Sequence, residues 1–332
     1  DVYKRQDLNR QQDFKKLDSQ NMLAEMNGLP EQLEKAWKEA EAFPLPDFSQ
    51  VKGVLIAGMG GSAIGASLLK AYAAPLASVP IEVHRDYGLP AWASGPETLV
   101  ILSSHSGNTE ETLSALDAAM DRGCSTVAIS TGGKLAQKAR KNDIDLWIFN
   151  HKGQPRAAVG YSFCLLLNIF SRLGFIPDPL KELEDAVSEM KEQYQLLSPE
   201  LPDHQNPAKR QAGQLIGRWV SVFGADLLAP VARRWKGQVS EIAKAWGQYE
   251  DIPEANHNTL AGVVNPEEVL TKTMALFLQA DSNHPRNLRR IELTKKNFMI
   301  EGISTDLIQA RGKTRLAQMW ALIQFGDYMA YY

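Results

Sequence analysis

Short apolar runs alternate with longer stretches of three- and four-residue apolar spacing along most of this chain. The runs at 51–57, 80–84, 98–102, 125–130 and 145–150 read as buried strands. Between them, 63–73, the stretch from about 110 to 122, and the segment after 134 carry a helical pattern, with Leu113, Leu116 and Met120 on one face of the second. Five strands alternating with helices predict a doubly wound parallel sheet. A helical segment at 8–42 precedes them, with Leu17, Met22, Leu23, Met26, Leu33 and Trp37 as its apolar positions, and Pro44 and Pro46 close it. An apolar helix at 157–173 and a charged one at 180–198 follow. Then 198–207, with three prolines, reads as a linker. Beyond it come strands at 219–223, 276–280 and 304–309 and helices at 232–246, 287–301 and from 313 onward. The same order of elements runs twice, which predicts a pseudo-repeat of two α/β units. The expected organisation is an N-terminal helical arm at 1–46, a first domain at 47–198 and a second at 208–332.

Composition narrows the field. The chain has 332 residues, 44% hydrophobic and 23% charged, with a formal net charge of −3. That is globular composition, and it argues against a nucleic-acid or membrane-surface role. The most apolar stretch, 157–170, is too short and too polar to span a membrane. The two cysteines, Cys124 and Cys164, form no motif, and the reading expects a cytoplasmic protein without a signal peptide. The basic stub at 2–6 fits nothing that follows and reads as a remnant of cloning or sequencing.

The candidate chemistry centres on SSHSGNTEET at 103–112, the turn between a buried strand and a helix. In an open parallel sheet such a turn lies at the carboxyl end of the strand, where ligands bind. It offers the hydroxyls of Ser103, Ser104, Ser106 and Thr109, a flexible Gly107 and the free N–H groups of a helix start, which favour an anion. Asn108 with Glu111 fits a capping box. The first glycine turn, with Gly58, Gly60 and Ala63, also fits a dinucleotide fingerprint, but Glu82 and Asp86 are poorly placed for the ribose. Two Ser/Thr/Gly loops suit a small phosphorylated ligand better, with Ser62 joining Ser104, Ser106 and Thr109. Arg156 stands where a strand ends and a helix starts, and a guanidinium there suits an anionic intermediate or a surface position equally. Glu241 lies among Ile242, Ala243, Ala245 and Trp246, where an acid can have a raised pKa and act as a base. His257 is flanked by Asn256 and Asn258, which would orient its ring. The six histidines are scattered without metal-ligand spacing, so neither a metal nor another cofactor is expected.

Five stretches in order, GMGGSAIG at 58–65, SHSGNTEET at 104–112, PRAAVGYSF at 155–163, KGQVSEIAKAW at 236–246 and PEANHN at 253–258, resemble the bifunctional phosphoglucose/phosphomannose isomerase family of the SIS (sugar isomerase) fold. The resemblance implies two SIS-type domains. It implies that Gly61, Ser62, Ser104, Ser106 and Thr109 bind a substrate phosphate, that Arg156 stabilises an enediolate, that Glu241 moves a proton between C1 and C2, and that His257 assists ring opening from a neighbouring subunit of a homodimer. The implied reaction is a metal-independent interconversion of glucose 6-phosphate and mannose 6-phosphate with fructose 6-phosphate, in glycolysis and gluconeogenesis. This chain departs from the family in having Ile242 after the proposed base and His105 in the phosphate loop. The resemblance also implies a later helix carrying a Lys for ring opening. Lys296 and Lys313 stand too early to match it, so Trp320, Ile323, Met329 and Tyr332 are expected to expose apolar surface. The alternatives are a non-catalytic sugar-phosphate sensor and another SIS isomerase or lyase.

Overall fold

The computed structural model describes residues 8–332; the stub at 2–6 lies outside the described residues. In chain order the elements are α1 (Gln11–Leu17), α2 (Met22–Asn27), α3 (Leu29–Ala42), β1 (Gly53–Ala57), α4 (Gly60–Ala73), β2 (Ile81–His84), β3 (Thr98–Ser104), α5 (Glu110–Asp121), β4 (Ser125–Ser130), α6 (Gly133–Lys141), β5 (Asp145–Ile148), α7 (Val159–Arg172) and α8 (Leu180–Leu197). There follow α9 (Pro207–Leu215), β6 (Trp219–Ala225), α10 (Ala229–Glu241), β7 (Gly247–Ile252), α11 (Glu267–Leu270), β8 (Thr273–Gln279), α12 (Pro285–Ile300), β9 (Ser304–Gln309) and α13 (Arg315–Tyr331).

The chain forms two compact units, Leu29–Lys181 and residues 8–28 with Glu182–Tyr332. In the first, five parallel strands lie in the order β2-β1-β3-β4-β5. β1 and β3 are buried at every position, as expected of central strands covered by helices on both faces. Leu55, Val100, Leu102 and Ala128 pack with Leu116 of α5 and Leu135 of α6 on one side. On the other, α4 meets α7 where Gly65 lies against Ser162; a Cβ on Gly65 would stand 2.6 Å from the Ser162 Cβ. α3 is clamped to α7 by Gln32, whose amide donates to Ala157 O (3.0 Å) and accepts from Tyr161 N–H (3.3 Å).

In the second unit four parallel strands run β7-β6-β8-β9. Phe223 and Phe277 stack at 4.7 Å, and Phe298 of α12 meets them edge-on at 5.5 and 5.8 Å. With β6 matched to β1, this order repeats that of β2-β1-β3-β4. The pseudo-repeat is therefore present, and both domains are parallel sheets flanked by helices.

The structure differs from the sequence reading at four places. The helix expected at 232–246 ends at Glu241, and an unforeseen strand, β7, begins at Gly247. The expected linker at 198–207 is packed: the buried Lys209 ammonium donates to Pro199 O and Leu201 O (2.8 and 2.7 Å), and Asn206 caps α9. The expected domain limits differ from the compact units. Helices α1 and α2 belong with the second unit, where Tyr331 OH donates to Asp18 (3.2 Å). Helix α8 does too, through Gln193 donating to Ala321 O (2.8 Å) and Gln324 Oε1 (2.9 Å). The expected apolar surface on the last helix is also absent. Trp320, Ile323 and Met329 are buried and Tyr332 is half-buried, because α13 is apolar around its circumference and embedded among α2, α9 and α10.

Candidate functional site: hydroxyl-lined loops at the switch point of the first sheet

Strand order reverses between β1 and β3, since β1 leads outward to β2 and β3 returns on its other side. The crevice at their carboxyl ends is where an open parallel sheet binds ligands. The Gly58–Ser62 turn and the Ser104–Thr109 loop both lie there. Gly58 brings them together: a Cβ on it would stand 2.7 Å from Ser103 O. Gly61 does the same for the third segment, Pro155–Ala157, a single 3-10 turn; its Cβ would stand 2.5 Å from Pro155 O. Arg156 is thus held beside the start of α4.

The hydroxyls form a network. Ser62, buried, accepts from His105 N–H at 3.3 Å. Ser104 Oγ lies 2.9 Å from Thr109 Oγ1 and accepts from Gly107 N–H at 3.1 Å. Ser106 is exposed and accepts from Asn108 N–H at 3.2 Å. The capping box is not formed. Thr109, not Asn108, is the N-cap of α5, and Asn108 instead accepts from Lys134 N–H at 3.1 Å, tying the loop to the start of α6. No side chain caps α4 or α5, so the positive ends of the two helices after β1 and β3 are left to solvent or ligand, whereas the start of α6 is filled by the loop itself, through Asn108 and Gly107 O, which accepts from Leu135 N–H at 2.8 Å.

The matching crevice of the second sheet is built otherwise. There the Asp226 carboxylate, at a backbone φ of 51°, accepts from His284 N–H (2.9 Å) and from the Asn287 (2.8 Å) and Asn283 (3.3 Å) amides, and His284 Nδ1 caps α12 by accepting from Arg286 N–H (3.1 Å). An internal carboxylate occupies the place of an anion.

Glu241 and His257 lie in the second unit. Glu241 is the exposed last residue of α10, so the expected apolar helical surroundings are absent: Ala243, Ala245 and Trp246 are exposed and lie in the connection to β7. His257 is exposed, in the turn after β7. Its flanking asparagines turn elsewhere, Asn256 to Thr294 (2.6 Å) and Asn258 to Glu254 (3.0 Å), so the expected orientation of its ring by them does not occur. The six residues of β7 separate the two, at about 3.3 Å each, so Glu241 stands at the amino edge of the sheet and His257 at the carboxyl edge.

Sequence reasoning missed His151. Its Nδ1 lies 2.9 Å from His105 Nε2, at the carboxyl end of β5. The signal was available, because position 151 stands two residues after the apolar run that ends at Phe149, in a sheet whose other such ends carry the candidate residues.

The model of the SIS domain matches residues 47–164, and that of the bacterial phospho-glucose isomerase C-terminal SIS domain matches 204–332. A bifunctional phosphoglucose/phosphomannose isomerase of Caldicellulosiruptor bescii is 37% identical over 94% of this chain and 92% of its own length. The chain belongs to the bifunctional phosphoglucose/phosphomannose isomerase family. Another member of that isomerase family, from Thermoplasma acidophilum, is 34% identical over 84% of this chain and 82% of its own. The fold of the family is shared with a glucose-6-phosphate isomerase like protein of Thermus thermophilus, at a TM-score of 0.64 and 20% identity over 98% of this chain and 93% of that one. The chain carries two SIS domains, and it is an isomerase.

Proposed function

We propose that this isomerase interconverts glucose 6-phosphate and mannose 6-phosphate with fructose 6-phosphate. The observation that carries the reading is the hydroxyl-lined end of the first sheet with α4 and α5 uncapped, in a chain this similar to bifunctional isomerases. The substrate phosphate is held by the N–H groups at Gly61 and the start of α5 and by Ser62, Ser104, Ser106 and Thr109. Arg156 stabilises the enediolate oxygens. Glu241 takes the C2 proton of the open-chain aldose while the carbonyl oxygen at C1 gains a proton. A cis-enediol forms, and the proton returns to C1 as the C2 hydroxyl becomes the carbonyl. No metal is needed for this route.

His257 assists ring opening from the second subunit of a homodimer. The support is the separation of His257 from Glu241 along β7, which keeps the two at opposite edges of one sheet within a chain. We place the enzyme in the cytoplasm, in glycolysis and gluconeogenesis; no helix among the described residues is long and apolar enough to cross a membrane.

The test is a coupled assay on both aldose phosphates, with and without chelator, on the wild type and Glu241→Gln. Loss of one general base costs on the order of 10²-fold or more in turnover, while a sugar-phosphate analogue still binds. Full activity of Glu241→Gln removes that residue from the role, and loss of activity with chelator removes the metal-free route.

A further inference from the structure

The two histidines at the carboxyl ends of β3 and β5 have no part in the proton transfer proposed above, yet they join two pieces of the phosphate cradle. His105 sits inside the phosphate loop. Its N–H donates to Ser62 Oγ (3.3 Å), and its carbonyl accepts from Thr131 N–H (3.1 Å) and Thr131 Oγ1 (2.7 Å). Its ring is bonded to His151 at 2.9 Å, and the two rings meet edge-on at 5.1 Å. His151 begins the segment that reaches Arg156 five residues later. An aromatic wall backs the pair: Phe149 lies edge-on to His105 at 5.8 Å and stacks on Tyr161 at 4.8 Å, and His151 lies edge-on to Tyr161 at 6.0 Å. Tyr161 is in turn hydrogen-bonded to Lys35, an interaction that raises the Lys35 pKa. The rings are half-buried at most and close to the anion site, so the bond between them is made in a partly desolvated setting where its geometry counts.

We propose that the His105–His151 hydrogen bond is a positioning device that locks the phosphate loop to the Arg156 segment, so that hydroxyls and guanidinium face one phosphorylated ligand in register. Both are positioning residues. The inference rests on the phosphate reading of this cradle but not on the identity of the base or of the sugar. The bond needs one ring nitrogen to donate and the other to accept. A side-chain amide can supply either role, and its reach matches Nε2 when Gln replaces His105 and Nδ1 when Asn replaces His151. Phenylalanine keeps the aromatic contacts and removes the bond.

The experiment compares His105→Phe, His151→Phe, the double Phe variant, His105→Gln and His151→Asn. It reads the Kd of inorganic phosphate by calorimetry, KM and kcat on fructose 6-phosphate, and the melting temperature. Each Phe variant is expected to raise phosphate Kd and KM about 3- to 10-fold with kcat changed less than about 2-fold, in line with one hydrogen bond lost. The double variant should be no weaker than either single one, since both remove the same bond. The Gln and Asn variants should bind phosphate within about 2-fold of wild type. Unchanged phosphate affinity in the Phe variants overturns the proposal, as do additive losses in the double. Equal losses in the Phe and amide variants together with lowered melting temperatures also overturn it, because packing alone then accounts for the pair. Because phosphate binding is read without turnover, an inactive wild type would count against the isomerase reading and leave this measurement standing.

Discussion

The hydroxyls of the phosphate loop are not equivalent. Thr109 is the N-cap of α5, and its Oγ1 lies 2.9 Å from Ser104 Oγ. Ser104 also accepts from Gly107 N–H, so it is part of the loop's own frame. Thr109→Val should therefore weaken both phosphate and substrate with little effect on melting. A hydrogen bond to a charged group is worth about 1.5–3 kcal/mol, which is roughly 10-fold or more in Kd. Ser104→Ala should weaken the same ligands and lower the melting temperature slightly as well, because Gly107 N–H loses one of its two acceptors and keeps only Ser104 O. Calorimetry with inorganic phosphate and thermal melting separate the two. The thiols differ too. Burial pushes Cys164 far above the ordinary thiol range, and pushes Cys124 up less because it is only half-buried and faces Arg122. A raised pKa leaves less thiolate at neutral pH, so native protein should take up iodoacetamide slowly at Cys124 and not at Cys164, while unfolded protein labels both.

Helix α10 shows how an element's neighbours decide its fate. It is anchored to α13 by the buried Arg234–Asp327 pair at 2.6 Å, with Gln238 donating to the same carboxylate at 2.8 Å. Gly326 lets the Trp235 ring lie directly on α13, and Trp235 Nε1–H donates to Leu322 O at 2.8 Å. Asp327→Ala strands a buried guanidinium and should cost about 3–5 kcal/mol in urea unfolding. The double replacement Arg234→Met with Asp327→Leu should recover most of that loss, because neither charge is then buried. Helix periodicity ran on past Glu241 through Ile242 and Trp246, but the chain leaves the helix there, with Lys244 at a φ of 56°. β7, GQYEDI, was illegible as a strand because it is an edge strand. Only Gly247 and Ile252 are buried, so no apolar run marks it.

At the scale of the molecule, one topology is used twice with opposite outcomes. The first sheet leaves its switch-point helices uncapped; the second fills the equivalent place with Asp226 and caps α12 with His284. Titration with inorganic phosphate should accordingly give one site per chain, weakened by changes at Thr109 and Ser104 and indifferent to Asp226→Asn. A second site of similar affinity in the wild type would show that Asp226 yields to an external anion.

The sequence by itself determined the five strands of the first sheet, the hydroxyl-rich turn that follows its third strand, and the recurrence of the α/β order in the second half. These are written in local runs of apolar residues and in hydroxyls and glycines at a strand end, where backbone geometry leaves few choices. Membership of the isomerase family, first marked by five short stretches in order, is carried by relatives over most of the chain. The tertiary structure alone decided where β7 pairs, which unit takes α1, α2 and α8, and that α13 is covered rather than exposed. It alone decided that His151 meets His105 and that Asp226 fills the second crevice. Each of these depends on contacts between residues far apart in the chain, and pairings of that kind leave no periodicity for a local pattern to report.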